Sequence, residues 1–188
     1  MGGRTKAFTA ELIENRLVVW DPEQGSKLFQ MGFYGKPVGI SKPKSADFDA
    51  PLNVDLIEGT YLLEKKKIRV VQGPEKRRIS IKALLKHARK VYEGFDDKYL
   101  AYKDLREHGK IVLPGIKFGC DYAVYDHGPG IDHAPYMVSV RPRTDALTAT
   151  ELVRAGRLAT TVRKRFIIAV PDQKTSKVQY LIFKWFKA

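Results

Sequence analysis

At 188 residues the chain has room for one large domain or two small ones, and either can bury a core. Apolar residues make up 44% and charged residues 29%, which excludes a disordered tail; no apolar run approaches the roughly 20 residues of a spanning helix. The formal net charge of +13, from 34 Lys and Arg against 21 Asp and Glu, points to a polyanionic partner, nucleic acid above all, and no amphipathic basic segment marks a membrane binder.

The opening MGGRTKAF lacks the apolar segment of about 7–15 residues that a signal peptide carries. Lys6 also breaks the myristoylation pattern, so a cytoplasmic protein is expected. AFTAELI and RLVVWD read as two β segments around a Glu-Asn turn. PEQGSKLFQMGFYG predicts a short helix stopped by Gly35. Residues 39–53, GISKPKSADFDAPLN, form a basic, proline-bearing loop too long for a simple connection, a kind that is often functional. VDLIEGTYLLEKK sets Leu56, Tyr61, Leu62 and Leu63 near helical spacing, and KIRVV is a strand. In SIKALLKHARKVY, Ile81, Leu84, Leu85, Ala88 and Val91 fall on one helical stripe.

A second unit is expected from about Gly94, dividing the chain into 1–93 and 94–188. DDKYLAYKDLREHG reads as a helix with acidic residues at its start and a glycine at its end. IVLPG, IKFGCDYAVY and YMVSV are β-like runs broken by Gly and Pro, followed by a helix over 147–165. RFIIAV and VQYLIFKWF then make two strands joined by PDQKTSK. The fold class is mixed α+β: a small N-terminal α/β domain carrying the basic loop, and a C-terminal domain with a central mixed sheet flanked by helices. The single cysteine, Cys120, excludes an internal disulfide and a Cys-based zinc site, and its strand setting predicts a core residue.

Alternation along the strand ending at Tyr125 puts Phe118, Cys120, Tyr122 and Val124 on one face, and Gly119, Asp121, Ala123 and Tyr125 on the other. The Gly/Pro turn behind Tyr125 lets the chain fold back and bring a histidine near it. His127 and His133 both qualify as a proton donor near neutral pH, and the residues alone do not rank them. In the 147–165 helix, Leu152, Ala155, Leu158, Ala159 and Val162 form an apolar stripe. Arg157 and Lys164, seven residues apart, are expected to share a face at a separation of roughly 10 Å along the axis. One cation would then meet a reacting phosphate while the other holds a neighbouring nucleotide. PDQK at 171–174 lacks the further carboxylates that a metal-dependent nuclease needs and reads as a turn. In PEKRRISIKALLKHARK the basic residues flank an apolar stripe, as surface charges do.

Tyr99, Tyr102, Asp104, Leu105 and Arg106 are followed by Gly115, Lys117, Phe118, Gly119 and Asp121, then by Tyr125, His133, Tyr136, Val162, Arg163 and Lys164. In this order and spacing they resemble the catalytic domain of the archaeal tRNA-splicing endonucleases over about half the chain. VDLIEGTYLLEKKKI resembles the N-terminal part more loosely. The resemblance implies a tRNA-endonuclease-like fold and an enzyme that excises introns from precursor tRNA by cutting bulge-helix-bulge RNA. It implies no metal and no cofactor, and products with 2′,3′-cyclic phosphate and 5′-hydroxyl ends. Tyr125 would activate the ribose 2′-hydroxyl, His133 protonate the leaving 5′-oxygen, and Lys164 stabilise charge on the phosphate. Arg157 and Trp185 would grip a bulge base across a subunit boundary. Relatives dock an acidic loop before the last strand into a partner subunit, whereas PDQKTSK holds only Asp172. That implies an α2β2 heterotetramer with a catalytically silent paralogue, with a homotetramer as the alternative. Lys42 and Lys44, held extended by Pro43, are expected to reach the RNA backbone or a bulge, with a solvated insertion as the alternative. The competing functional reading is a non-catalytic structural or RNA-binding subunit of the same assembly.

Overall fold

A computed structural model describes residues 7–41, 43, 45–131, 134–161 and 163–183. The chain divides into two compact units, Met1–Phe95 and Asp96–Ala188. In the first, β1 (Phe8–Ile13) and β2 (Arg16–Val19) form a hairpin whose turn places Glu14 at φ 50°. Helix α1 (Pro22–Gln30) starts on Asp21, whose carboxylate accepts from the Glu23 and Gln24 amides, with a proline at its first position. After β3 (Lys36–Pro37) and β4 (Leu52–Val54), Asp55 caps α2 (Leu56–Glu64). β5 (Ile68–Gln72), β6 (Arg77–Ile79) and α3 (Ile81–Val91) complete the unit.

The strand order β3-β4-β2-β1-β5-β6 is antiparallel except where β1 lies parallel to β5. That parallel pair needs a crossover, which α2 helps to provide. Leu17, Val19, Leu52, Val54, Leu56, Leu62, Val70 and Leu84 are buried to 2% exposure or less. Gly59 lets α2 approach β2 closely, since a Cβ there would fall 2.1 Å from Leu17 Cδ1.

Three expectations for this unit change. Helix α1 ends at Gln30, before Gly35, because Phe33 already takes the left-handed conformation at φ 56°. The 39–53 segment is not loop throughout: Leu52 and Asn53 pair in β4, and Phe48 is buried, with its backbone hydrogen-bonded both ways to Ser26 Oγ. Arg77–Ile79, between the predicted elements, is a further strand because its backbone completes the ladder to β5, and its two arginines are exposed as surface charges.

The second unit begins in α4 (Phe95–Glu107) and continues through β7 (Ile111–Pro114), a 3-10 turn (Ile116–Phe118), β8 (Tyr122–Tyr125) and β9 (Tyr136–Val140). Helix α5 (Ala149–Thr161) and the hairpin β10 (Arg165–Asp172) and β11 (Lys177–Ile182) close it. The strand order is β11-β10-β9-β8-β7, with only β9 and β10 parallel.

One face of this sheet meets α4. Tyr122 Oη donates to the Lys98 carbonyl, Arg106 donates to Tyr102 Oη and the Val112 carbonyl, and Tyr180 Oη donates to Asp104 at 2.6 Å. The tyrosines and charges of this helix are thus its attachment to the sheet; burial and the Asp104 contact together push the Tyr180 phenol up in pKa. The other face packs Met137, Phe166 and Ile168 against Ala159 of α5. Among the described residues no helix is long and apolar enough to cross a membrane.

Candidate active site

The segment Gly115–Asp121 is not a strand, contrary to the alternation expected for it. A Cβ at Gly115 would lie 2.8 Å from two backbone atoms, so only glycine fits, and Gly119 takes φ 66°. This turn resets the alternation, so Phe118 and Cys120 pack with Met137 rather than with Tyr122. Cys120 is half-buried, and desolvation pushes its thiol up to about 11. Asp121 fixes the turn to the sheet by accepting from the Val140 amide at 2.8 Å and pairing with Lys98 at 3.3 Å.

From Tyr122 onward the expected alternation holds: Ala123, paired with Met137, and Tyr125 share the face under α5. Tyr125 ends β8 half-buried, opposite Ile111. Val124 is opposite Tyr136, and Tyr136 is opposite Arg165. Continued by one step, the register sets Tyr125 and Lys164 in one cross-strand row on either side of Pro135. Their backbones are then two strand spacings apart, roughly 10 Å. The Arg165 amide donates to the Pro135 carbonyl at 2.8 Å, which holds that row together.

Lys164 does not lie in a helix. Helix α5 ends at Thr161, and the Arg163 and Lys164 amides donate back to the Thr160 and Ala159 carbonyls. Arg163 takes the left-handed conformation at φ 53°, the position glycine usually fills in this kind of helix stop. The seven-residue argument linking Lys164 to Arg157 therefore fails, because the helical period stops between them.

The Lys164 ammonium donates to the Ala134 carbonyl and sits 5.1 Å from the centre of the Phe118 ring. Among the described residues no carboxylate pairs with it, so its charge is oriented by neutral partners and not neutralised. Phe118 and Ala134 are the positioning residues that the sequence reading missed. No local signal gives their contact with Lys164, since they lie 46 and 30 positions away in the chain.

Arg157 is exposed on α5, beside Arg154 and Val153 in a shallow surface groove. Arg154 was also missed, although the i, i+3 spacing of the two arginines is readable. The start of the helix was readable as well. Thr148 and Glu151 make a reciprocal capping box, which sets the first turn at Ala149 and not at 147. His127 is exposed in the turn after β8. His133, Trp185, Lys42 and Lys44 lie outside the described residues. Among the described residues no three His, Cys, Asp or Glu side chains gather as a metal site would require.

Comparison with known proteins covers both units. The family profile described as tRNA intron endonuclease, N-terminal domain, matches residues 8–85, and the one described as its catalytic C-terminal domain matches 95–180. Tyr125 and Lys164 fall inside the second match, and Trp185 outside it. A tRNA-splicing endonuclease of Hyperthermus butylicus is 42% identical over 178 residues, covering 95% of this chain and 98% of that protein. Those of Sulfurisphaera tokodaii and Saccharolobus islandicus are 38% and 39% identical, over 94% and 95% of this chain and 98% of each relative.

Proposed function

The chain belongs to the tRNA intron endonuclease family, and from that membership we propose how its own residues perform the cut. The enzyme excises introns from precursor tRNA by cleaving bulge-helix-bulge RNA at the exon–intron junctions. The ribose 2′-oxygen attacks the adjacent phosphorus, the bond from phosphorus to the 5′-oxygen breaks, and 2′,3′-cyclic phosphate and 5′-hydroxyl ends remain. Tyr125 activates or orients the 2′-hydroxyl, His133 delivers a proton to the departing 5′-oxygen, and Lys164 stabilises the charge on the five-coordinate phosphorus. The attack is intramolecular and each charge has a protein group to meet it, so the step calls for neither metal nor cofactor.

The observation that carries this reading is the Lys164 ammonium held on the Ala134 carbonyl and the Phe118 ring, one residue before the strand pairing of Arg165 with Tyr136. Tyr125 ends the neighbouring β8 one residue past the pairing of Val124 with Tyr136. His133 directly precedes Ala134, whose carbonyl receives the Lys164 ammonium. Held among the described residues by a carbonyl and an aromatic ring, this cation keeps its charge for a phosphate.

Arg157, with Trp185, grips a bulge base by stacking and cation–π contact, and the exposure of Arg157 supports its half of that role. Lys42 and Lys44, in the part of the 39–53 segment ahead of β4, contact the RNA, so Lys44→Ala narrows the range of introns cut; unchanged cleavage of every substrate would remove that role. The division between domains falls at 93/94, just ahead of α4, and the location is cytoplasmic.

The working assembly is an α2β2 heterotetramer with a silent paralogue. Asp172, the one acid of the β10–β11 turn, accepts from the Lys174 amide and pairs with Arg143 at 3.3 Å. It is therefore engaged within its own unit, and an acidic docking loop has to come from another chain.

The experiment is cleavage of a bulge-helix-bulge RNA in EDTA, by the chain alone and with a candidate paralogue, with end-group analysis. Cyclic phosphate formed only in the mixture supports the mechanism and the heterotetramer together. Cleavage by the chain alone replaces the heterotetramer with the homotetramer. Tight binding without cleavage in both arms would leave a non-catalytic subunit.

A further inference from the structure

We propose that the open face of the first unit's sheet is a second RNA-binding surface, which takes a single-stranded stretch of the precursor outside the segment that is cut. The proposal rests on the RNA substrate assigned above. The β registers place Glu11, Arg69, Val71 and Arg78 on one face, opposite to buried Ala10, Leu12 and Val70, and Trp20, just past β2, hydrogen-bonds to Glu11 on that face. With Thr9 and Lys76 they line a surface depression of about 620 Å³.

Trp20 is 55% exposed, an indole left in water in a depression that Ala7 and Val71 line together with polar and charged side chains. Its Nε1–H donates to Glu11 Oε2 at 2.7 Å, and Lys76 Nζ reaches the same oxygen at 2.7 Å. The carboxylate therefore anchors the ring while its own charge is met by lysine. Asp21, the other acid at the rim, spends its oxygens on the first turn of α1.

Two arginines remain as outward charge. Arg69 Nε donates to Thr9 Oγ1 at 2.7 Å, which fixes the guanidinium, and Arg78 has no ion-pair partner among the described residues. Arg78 stands opposite Val71, two residues along from Arg69, so the two are diagonal neighbours roughly 7–8 Å apart. An anchored indole beside two uncompensated arginines on a strand face suits base stacking with phosphate contacts. The two outward arginines, not the apolar Ala7 and Val71 beside the indole, favour a polyanion over a protein partner on this face.

The test uses the full chain in its cleavage-competent assembly, with Trp20→Ala, Trp20→Phe and the pair Arg69→Gln/Arg78→Gln. Binding of a ten-nucleotide oligo(U) RNA is followed by anisotropy, and kinetics are compared on a full-length precursor and on a minimal bulged helix without flanks. Trp20→Ala and the arginine pair are expected to weaken oligo(U) binding roughly tenfold and to raise KM on the precursor alone, with kcat unchanged. Trp20→Phe keeps most of the affinity. Equal oligo(U) affinity in wild type and Trp20→Ala overturns the proposal. A change in assembly mass with RNA affinity intact overturns it too, by making the face a protein interface. Trp20-dependent oligo(U) binding by a chain that cuts nothing would refute the enzyme reading and leave this surface standing.

Discussion

Helices α2 and α5 occupy comparable places, each laid against one face of its own sheet, yet they keep opposite surfaces. From Leu56 through Leu62 every residue of α2 is buried, whereas only Ala159 of α5 is. Helix α2 includes a polar member, Glu58, that is just 5% exposed and accepts from the Gly35 amide. Helix α5 leaves Val153, Leu158, Arg154 and Arg157 in solvent. A helix surrounded by its unit is scaffold, and its sequence answers to packing. A helix held along one narrow stripe keeps most of its surface for something outside the unit. The difference marks where substitutions damage stability and where they damage activity.

The contrast breaks first if equivalent leucines behave alike. Leu62→Ala, at a fully buried site, should lower unfolding free energy by about 2–5 kcal/mol in urea denaturation. Leu158→Ala, at 40% exposure, should cost about 1 kcal/mol or less. Next comes Lys164→Ala, just past the end of α5. It should lower kcat for a bulged RNA by about 10²–10³-fold with little change in melting temperature. A large loss of stability instead would make Lys164 a packing residue.

Gly59→Ala tests the tight side of α2. The added methyl would collide with Leu17, and overpacking of about 1–3 kcal/mol outweighs the gain in helix propensity of about 1 kcal/mol. A net loss of about 1 kcal/mol is expected in thermal unfolding. Thr148→Ala removes the capping box of α5 and should cost about 1 kcal/mol by the same measurement.

The smallest effect is in pH. The two helix starts carry carboxyls that shift in opposite directions. Glu151 is held below its ordinary 4.5 by hydrogen bonds from Thr148, first from its amide and then from its hydroxyl. Its stabilisation is present above pH 4.5 and is lost as pH falls through the lower folded value. Asp55 is pushed above its ordinary 3.8 by burial at the start of α2. It favours the fold below pH 3.8 and loses that contribution as pH rises through the raised folded value. Carboxyl NMR titration should find the two midpoints displaced in these opposite senses, and parallel displacement would remove the distinction.

Much of the framework was legible because its signals are local. In α3 spacing alone gives the buried Leu84 and Ala88, while Ile81 and Val91 at the ends of the same stripe are exposed. The alternation that pairs Ala123 with Tyr125 survives within β8. The errors fall where the backbone leaves the expected geometry. Phe118 and Cys120 pack on the face opposite to the one alternation gives them, because Ile116–Phe118 is a 3-10 turn ended by left-handed Gly119 and the strand begins only at Tyr122. Lys164 was placed in a helix because Arg163, a residue with ordinary helix propensity, adopts a conformation usually left to glycine.

By itself the sequence determined the charge that seeks a polyanion, the order of most helices and strands, and the residue types able to cut RNA through its own 2′-hydroxyl. The tertiary structure decided which of those residues meet. Strand register brings the ends of β8 and β10, next to Tyr125 and Lys164, to either side of Tyr136, an aromatic ring 46 residues away orients the lysine, and the sheet of the first unit brings Trp20 and two arginines to one face. Helical and strand periods are properties of neighbouring residues, whereas a cross-strand row depends on hydrogen-bond registers between segments distant in the chain.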